Sequence, residues 1–306
     1  MREIITIKNL NYAYPDGVEA LKDVNISIRK GEKVVIIGPN GAGKTTLLLN
    51  LNGVLEKEGG NIEIYGENIE SLDRKDIIEH LGIVFQDPED QLFMPTVFDD
   101  VAFGPTNLGL DEGEVKKRVR KALASVGLSD YEDRPPQNLS YGEKKKASLA
   151  AALSLEPDVL VLDEPTAELD PKSRSELIGK IWELNEEEGI TTVIATHDIN
   201  AVPEIADRVY VLNRKIVAEG TPREIFTNGK LLKENNLDVP EIFKLFEVLN
   251  CFGLDSKELP LSMDQAIDEL TKTMQTENGH IHLHIHEHTH EDIEKLKDKY
   301  EHHQTS

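Results

Sequence analysis

A chain of 306 residues, 30% of them charged, with a mean hydropathy of −0.39, is long enough for one large domain or two and has a water-soluble composition. Its formal net charge of −23 excludes tight binding along a nucleic-acid backbone, which needs a basic footprint, but not a single nucleotide held by local N–H groups and magnesium. No apolar run approaches the ~18 residues that span a bilayer, Met1-Arg2-Glu3-Ile4 does not open like a signal peptide, and the lone cysteine, Cys251, leaves no internal disulfide framework and fits a reducing cytosol.

Taken in chain order, Ile4-Ile5-Thr6-Ile7 and Val24 to Ile28 carry β-branched patterning, with a turn at Tyr14-Pro15-Asp16-Gly17 between them. Lys33 to Ile37 reads as a strand buried inside a parallel sheet, followed by a glycine-rich loop and a helix from about Lys44. Ile83-Val84-Phe85, Val159 to Leu162 and Thr192 to Ala195 repeat the buried-strand character, and helices at 114–126 and 171–188 alternate with them. Such alternation predicts an α/β sheet with its ligand at the C-terminal ends of the strands. Past residue 230 the pattern shifts to short amphipathic helices, Val239 to Leu249 and Ser262 to Met274, joined by a turn at Gly253 and Pro260. From Thr276 the chain turns polar and low in complexity, a composition that buries little apolar surface and predicts a flexible tail.

Three short stretches carry chemistry. Gly38-Pro39-Asn40-Gly41-Ala42-Gly43-Lys44-Thr45, followed by Thr46, fits the Walker A pattern between a strand and a helix. Its glycines let successive N–H groups face phosphate oxygens, Lys44 reaches the β- and γ-phosphates of ATP, and the Thr45 hydroxyl ligates Mg2+. At the end of a core strand, Asp163 supplies a magnesium-binding carboxylate and Glu164 a group that polarises water. Leu139-Ser140-Tyr141-Gly142-Glu143 contains a capping box, Ser140 with Glu143, so a helix carrying Lys144 to Leu155 begins there and points a positive N-terminus outward.

Together these elements resemble the ATPase subunit of ABC transporters over about residues 3–230. The resemblance implies an α/β P-loop ATPase with a mixed β-sheet core, an N-terminal antiparallel β subdomain, a helical signature subdomain and a small C-terminal helical extension. The division expected is 1–232 for the ATPase domain, 233–276 for the extension and 277–306 for the His-rich tail. By the same resemblance Tyr14 stacks on adenine, Gln86 touches magnesium and the attacking water, and Ala167-Glu168-Leu169-Asp170 is the D-loop, which places Asp170 at the nucleotide. His197 contacts the γ-phosphate, and Glu164, His197 and Gln86 form the catalytic set. Two such ATPases pair head to tail in the family, so Ser140 and Gly142 reach a phosphate bound to the other subunit. Tyr141 and Glu143 depart from the commonest signature, where glycine and glutamine stand.

The segment Asp87 to Phe93, then Thr96-Val97 and Asp100 to Pro105, is similar to the ATPases of energy-coupling-factor importers, particularly the cobalt and nickel branch. This implies a second ATPase subunit, identical or a paralogue, an integral membrane coupling subunit, a membrane protein that binds the substrate, and a peripheral place on the cytoplasmic face of the membrane. His280, His282, His284, His286, His288 and His290 recur at every second position, which in an extended chain lines up imidazoles suited to Ni2+ or Co2+. The competing readings are the energiser of a vitamin importer, a soluble ABC-type ATPase of DNA repair or translation, and a metal-binding protein in which nucleotide binding is secondary. The acidic charge, the single cassette and the absence of a long insertion between Walker A and the signature weigh against repair or translation, and the complete catalytic set weighs against a mere metal binder.

Overall fold

The computed structural model describes residues 2–252, 254, 258–276 and 289–300. The strands are β1 (Glu3–Ala13), β2 (Glu19–Arg29), β3 (Lys33–Ile37), β4 (Gly59–Ile64), β5 (Glu67–Asn68), β6 (Leu81–Val84), β7 (Val159–Asp163), β8 (Thr191–Thr196), β9 (Arg208–Asn213) and β10 (Lys215–Gly220). The helices are α1 (Lys44–Leu51), α2 (Arg74–His80), α3 (Val97–Leu108), α4 (Glu112–Ser125), α5 (Tyr141–Leu153), α6 (Pro171–Glu188), α7 (Val202–Ile205), α8 (Pro222–Phe226), α9 (Gly229–Glu234), α10 (Glu241–Cys251), α11 (Met263–Thr276) and α12 (Thr289–Tyr300). The chain divides into two units, one of Met1–His197 with Ile205–Pro222, the other of Asp198–Glu204 with Arg223–Ser306.

Two sheets build the first unit. One is antiparallel, in the order β2-β1-β4-β5, and its alternating Ile5, Ile7, Ile26 and Ile28 turn inward while polar neighbours face water. The other runs β10-β9-β3-β8-β7-β6, with every pair parallel except the antiparallel edge strand β10. Covered on both faces, its central strands carry unbroken apolar runs: Val34 to Ile37 and Val159 to Leu162 are fully buried. The ladder pairs Ile37 with Thr196, Asp163 with Ala195 and Val84 with Leu162, so four parallel strands end side by side. Phe85 lies just past the end of β6, one residue short of the expected strand.

Local signals start and stop the helices where the chain must turn. Thr96 caps α3 by accepting from the Asp99 amide, and Asp111 caps α4. Asp170 caps α6 ahead of Pro171, while Gly109 and Gly189 end α3 and α6 in the left-handed conformation. Helices α3, α4 and α5 pack on one another as a helical lobe. Helix α5 starts three residues earlier than the first lysine of its run, since the Ser140 cap makes Tyr141 its first residue.

In the second unit, Phe246 of α10, Leu254 and Ala266 of α11 form a small core flanked by Ile242, Leu249, Leu259 and Leu270. Asn200 Oδ1 accepts from the Glu241 amide at 3.0 Å, which ties the segment after His197 to the start of α10. Within the stretch read as tail, Thr289–Tyr300 forms α12 alongside α10.

Burial sets the cost of a substitution. Ile36→Ala, which empties a fully buried position of β3, should cost about 2–5 kcal/mol in urea unfolding. Lys117→Ala, on the exposed face of α4, should stay within about 0.5 kcal/mol.

Candidate active site

The parallel ladder brings the loop after β3, the Asp163-Glu164 pair after β7 and His197 after β8 to one edge of the sheet. The loop after β3 can run only with glycine at two points. A Cβ on Gly38 would stand 2.2 Å from the Leu212 carbonyl oxygen; at Gly43, with φ +97°, it would stand 2.5 Å from that of Ala20. Gly41 also has positive φ, and the Ala42 amide closes the turn onto the Pro39 carbonyl at 3.1 Å. Asn40 is exposed on the loop, and Gly43 leads directly into α1, whose first residues are Lys44, Thr45 and Thr46.

Lys44 folds back over this loop. Its Nζ donates to the Gly38 carbonyl at 2.8 Å and to that of Pro39 at 3.4 Å, and lies 3.8 Å from Glu164 Oε1. Burial pushes its pKa down, an effect opposed by Glu164 and Asp163.

Glu164 is held from every side. Its Oε2 accepts from the Thr196 hydroxyl at 3.1 Å and from the His197 amide at 3.2 Å, and His197 Nδ1 lies 2.9 Å from Oε1. An ionised carboxylate only accepts, so Nδ1 carries the shared proton. The residue sits at φ +45°, a left-handed conformation costing about 1–3 kcal/mol off glycine, and its amide is anchored on the Ala195 carbonyl at 2.9 Å.

Asp163 is 3% exposed, and its Oδ1 has no hydrogen-bond partner, an open demand at the strand end. The Thr45 hydroxyl donates to the same carboxylate, and burial raises its pKa more than that bond lowers it. A carboxylate oxygen left bare beside a threonine hydroxyl is the hard oxygen set that suits magnesium. Gln86 is exposed just past β6, and its carbonyl accepts from Lys145 Nζ at 2.5 Å. The Tyr14 hydroxyl pairs with the Thr46 hydroxyl at 2.7 Å, and the ring stands edge-on to Tyr12 while remaining 38% exposed, open to a stacking partner.

Ser140 and Gly142 form a cluster of their own. Glu143 Oε2 accepts from the Ser140 amide at 2.7 Å and from its hydroxyl at 2.8 Å, and Oε1 accepts from the Tyr131 hydroxyl at 2.8 Å. The Ser140 amide, followed by the Tyr131 hydroxyl, holds the Glu143 carboxyl below the usual carboxylate range. A Cβ on Gly142 would approach the Ser173 hydroxyl to 3.0 Å; that hydroxyl donates to Asp170 at 2.6 Å, which joins the signature turn to the D-loop.

Residues 21–167 match the family model of the ABC transporter. Over 251 residues the chain is 47% identical to the energy-coupling factor transporter ATP-binding protein EcfA of Methanocaldococcus jannaschii, covering 81% of this chain and 89% of that one. The chain belongs to the ATP-binding proteins of ABC transporters. As a member of that family it is an ATPase whose hydrolysis is coupled to transport, and it is the ATP-binding energiser of a transporter of the energy-coupling-factor type. The EcfA protein of Methanosphaera stadtmanae is 46% identical over 279 residues, 88% of this chain and 99% of that one. Among solved structures, cbiO1 from Clostridium perfringens, part of the ABC transporter complex cbiONQ, superposes with a TM-score of 0.69 at 42% identity, covering 81% of this chain and all of that one. A dimeric ATP-binding cassette, MJ0796, bound to ADP and phosphate after hydrolysis, superposes with a TM-score of 0.64 at 28% identity over 72% of this chain and 99% of that one. ATPases of this type work as dimers with membrane subunits, and among the described residues no helix is long and apolar enough to cross a membrane.

In this ABC ATPase a groove of about 370 Å³ opens beside the segment that follows Gln86. Phe93 and Phe103 meet edge-on at its rim, 61% and 45% exposed, with Ile78 nearby. Asp100 lines it, 5% exposed: Oδ1 accepts from the Phe93 and Met94 amides at 2.9 Å each, and Oδ2 has no partner. Burial raises the pKa of Asp100 against those two bonds.

Two contributors are hidden in the sequence. Lys145 is the middle of a run of three lysines, yet it is 1% exposed. Its spacing to Ser148 and Ala152, both buried on the same helix, was the available signal. Tyr131, which holds Glu143, lies twelve residues away with no periodic signal at all. His280, His282, His284, His286 and His288 lie outside the described residues, as does the side chain of His290. No group of three or more metal-ligating side chains occurs among the described residues.

The close approaches around Gly43 make a direct test. Gly43→Ala should leave the far-ultraviolet circular dichroism unchanged and abolish binding of a fluorescent ATP analogue, because the strained turn can no longer aim its amides at phosphate.

Proposed function

We propose that this protein binds ATP between Lys44 and the signature turn of a second subunit, hydrolyses it through Glu164, and so powers import of cobalt or nickel ions. One observation carries the catalytic part: a buried lysine, a fully engaged carboxylate and a histidine meet at the ends of three adjacent parallel strands. The metal branch is supported by the resemblance of the segment 87–105 and by the similarity to cbiO1.

ATP enters with its phosphates over the amides of Gly41 to Thr46, and its adenine against the ring of Tyr14. Lys44 then exchanges the Gly38 and Pro39 carbonyls for phosphate oxygens, a charge-assisted bond in place of a neutral one. Thr45 and Asp163, together with Gln86, would hold Mg2+, which would neutralise charge on the β- and γ-phosphates when bound. Glu164 orients the attacking water and takes its proton; the Thr196 hydroxyl and His197 amide keep the carboxylate aimed while this happens. His197 steadies the γ-phosphate. Ser140 and Gly142, with Asp170 behind them, serve the nucleotide of the opposite subunit, identical or a paralogue. Loss of the γ-phosphate removes the bond between the two halves, and the pair reopens. The groove of Phe93, Phe103 and Asp100 receives the integral coupling subunit at the cytoplasmic face of the membrane, and a separate membrane protein binds the ion. The alternating histidines from His280 to His290 serve as a loose Ni2+ or Co2+ site.

Glu164→Gln should bind ATP, cut phosphate release by about 10²–10⁴-fold, and accumulate as an ATP-dependent dimer on gel filtration. In cells carrying the whole importer it should abolish uptake of labelled cobalt or nickel. Normal turnover would remove Glu164 from its role, and a vitamin as the cargo would assign the chain to the vitamin branch.

Calorimetric titration with nickel or cobalt should show binding to the full chain and loss of that binding when the chain ends at Asn278. Equal affinities would take the histidines out of the proposal.

A further inference from the structure

Lys145 is a buried cation whose placement the catalytic residues do not explain. Its Nζ donates to two backbone carbonyls, those of Gln86 at 2.5 Å and Glu164 at 3.3 Å, and among the described residues it forms no ion pair with a carboxylate. The ring of Tyr141, one helical turn earlier, lies 5.7 Å from the same ammonium, within reach of a cation–π contact. Stability alone does not call for a lysine here. The first turns of α5 carry the positive end of the helix dipole, burial lowers the lysine's pKa, and an apolar side chain of similar volume avoids both penalties.

The two carbonyls are significant. One belongs to the residue that follows β6 and opens the segment leading to the groove. The other belongs to the proposed water-orienting residue, whose backbone is held at φ +45°. With the Glu164 amide already on Ala195, the lysine secures the other side of the same residue. We propose that Lys145, shielded by Tyr141, is a positioning residue for ATP hydrolysis: it locks helix α5 to the backbone of Gln86 and Glu164 and so holds the carboxylate in its working orientation. The unusual tyrosine of the signature and the buried lysine are then two parts of one device, which also gives any tilt of α5 a direct mechanical route to Glu164.

The test is steady-state ATPase kinetics of the full chain with Mg2+ and ATP. Lys145→Met should lower kcat about ten- to a hundredfold, the scale of a small misplacement at a reacting centre, with KM for ATP and the thermal midpoint unchanged. Lys145→Arg, which still donates to both carbonyls, should recover most of kcat. Tyr141→Ala should lower kcat in the same direction as Lys145→Met but less. Wild-type kcat in Lys145→Met overturns the proposal. So does a change confined to KM, or an arginine variant as impaired as the methionine one. Should Lys145→Met fail to fold, Tyr141→Ala decides: an unchanged kcat there overturns it as well.

Discussion

The hydrogen-bond ladder linking β3, β8 and β7 sets the spacing between a lysine and a glutamate separated by 120 positions in the chain, and most of what this protein does depends on that spacing. Parallel strands place equivalent ends at one edge, so a side chain just past each end meets its neighbours without a dedicated loop. Glu164 and His197 occupy such places, and the glycine loop after β3 folds Lys44 back to meet them. The ladder in turn rests on apolar runs buried on both faces, which tolerate almost no shift of register. Core and chemistry are thus one constraint: a slip by one residue would part Glu164 from Lys44 and His197.

Charge is the second theme. Lys44, Lys145, Asp163 and Glu164 are all nearly buried, an arrangement that would be very costly for any one of them alone. Each is compensated differently. Lys44 turns to loop carbonyls and a carboxylate, Lys145 to carbonyls and a ring, and Glu164 to a hydroxyl, an amide and an imidazole. Only Asp163 keeps an unanswered oxygen. A site poised for a triphosphate and a divalent cation thus holds its own charges in reserve, with partners that can be exchanged when the ligand arrives.

Much of this was legible from residue order. The phosphate loop, the acid pair after an apolar run and the capped helix at Ser140 are local patterns, with all the determinants inside a few residues. The strands β3, β7 and β8 were legible for the same reason, as short unbroken apolar runs. What escaped was relational. The inward turn of the middle lysine of Lys144-Lys145-Lys146 is hinted at only by its spacing to Ser148 and Ala152, because burial there depends on α5 packing against the loops after β6 and β7. Tyr131 reaches Glu143 across a connection with no repeat, and Phe93 and Phe103 become neighbours only once α3 folds back. The departures at Tyr141 and Glu143, isolated oddities in the sequence, acquire partners in three dimensions: Lys145 for one, Tyr131 for the other.

The hold of Glu143 on the signature turn has a further consequence. A hydroxyl has a single hydrogen, and that of Ser140 is directed to Glu143. In the proposed head-to-tail pair, a phosphate arriving from the other subunit would therefore compete with a carboxylate for one proton. If the phosphate wins, neither carboxylate oxygen is stranded: Oε2 keeps the Ser140 amide and Oε1 keeps the Tyr131 hydroxyl. The turn can thus pass its hydrogen between two anions with little change in its own structure, a reversible handover suited to the opening and closing proposed for the pair.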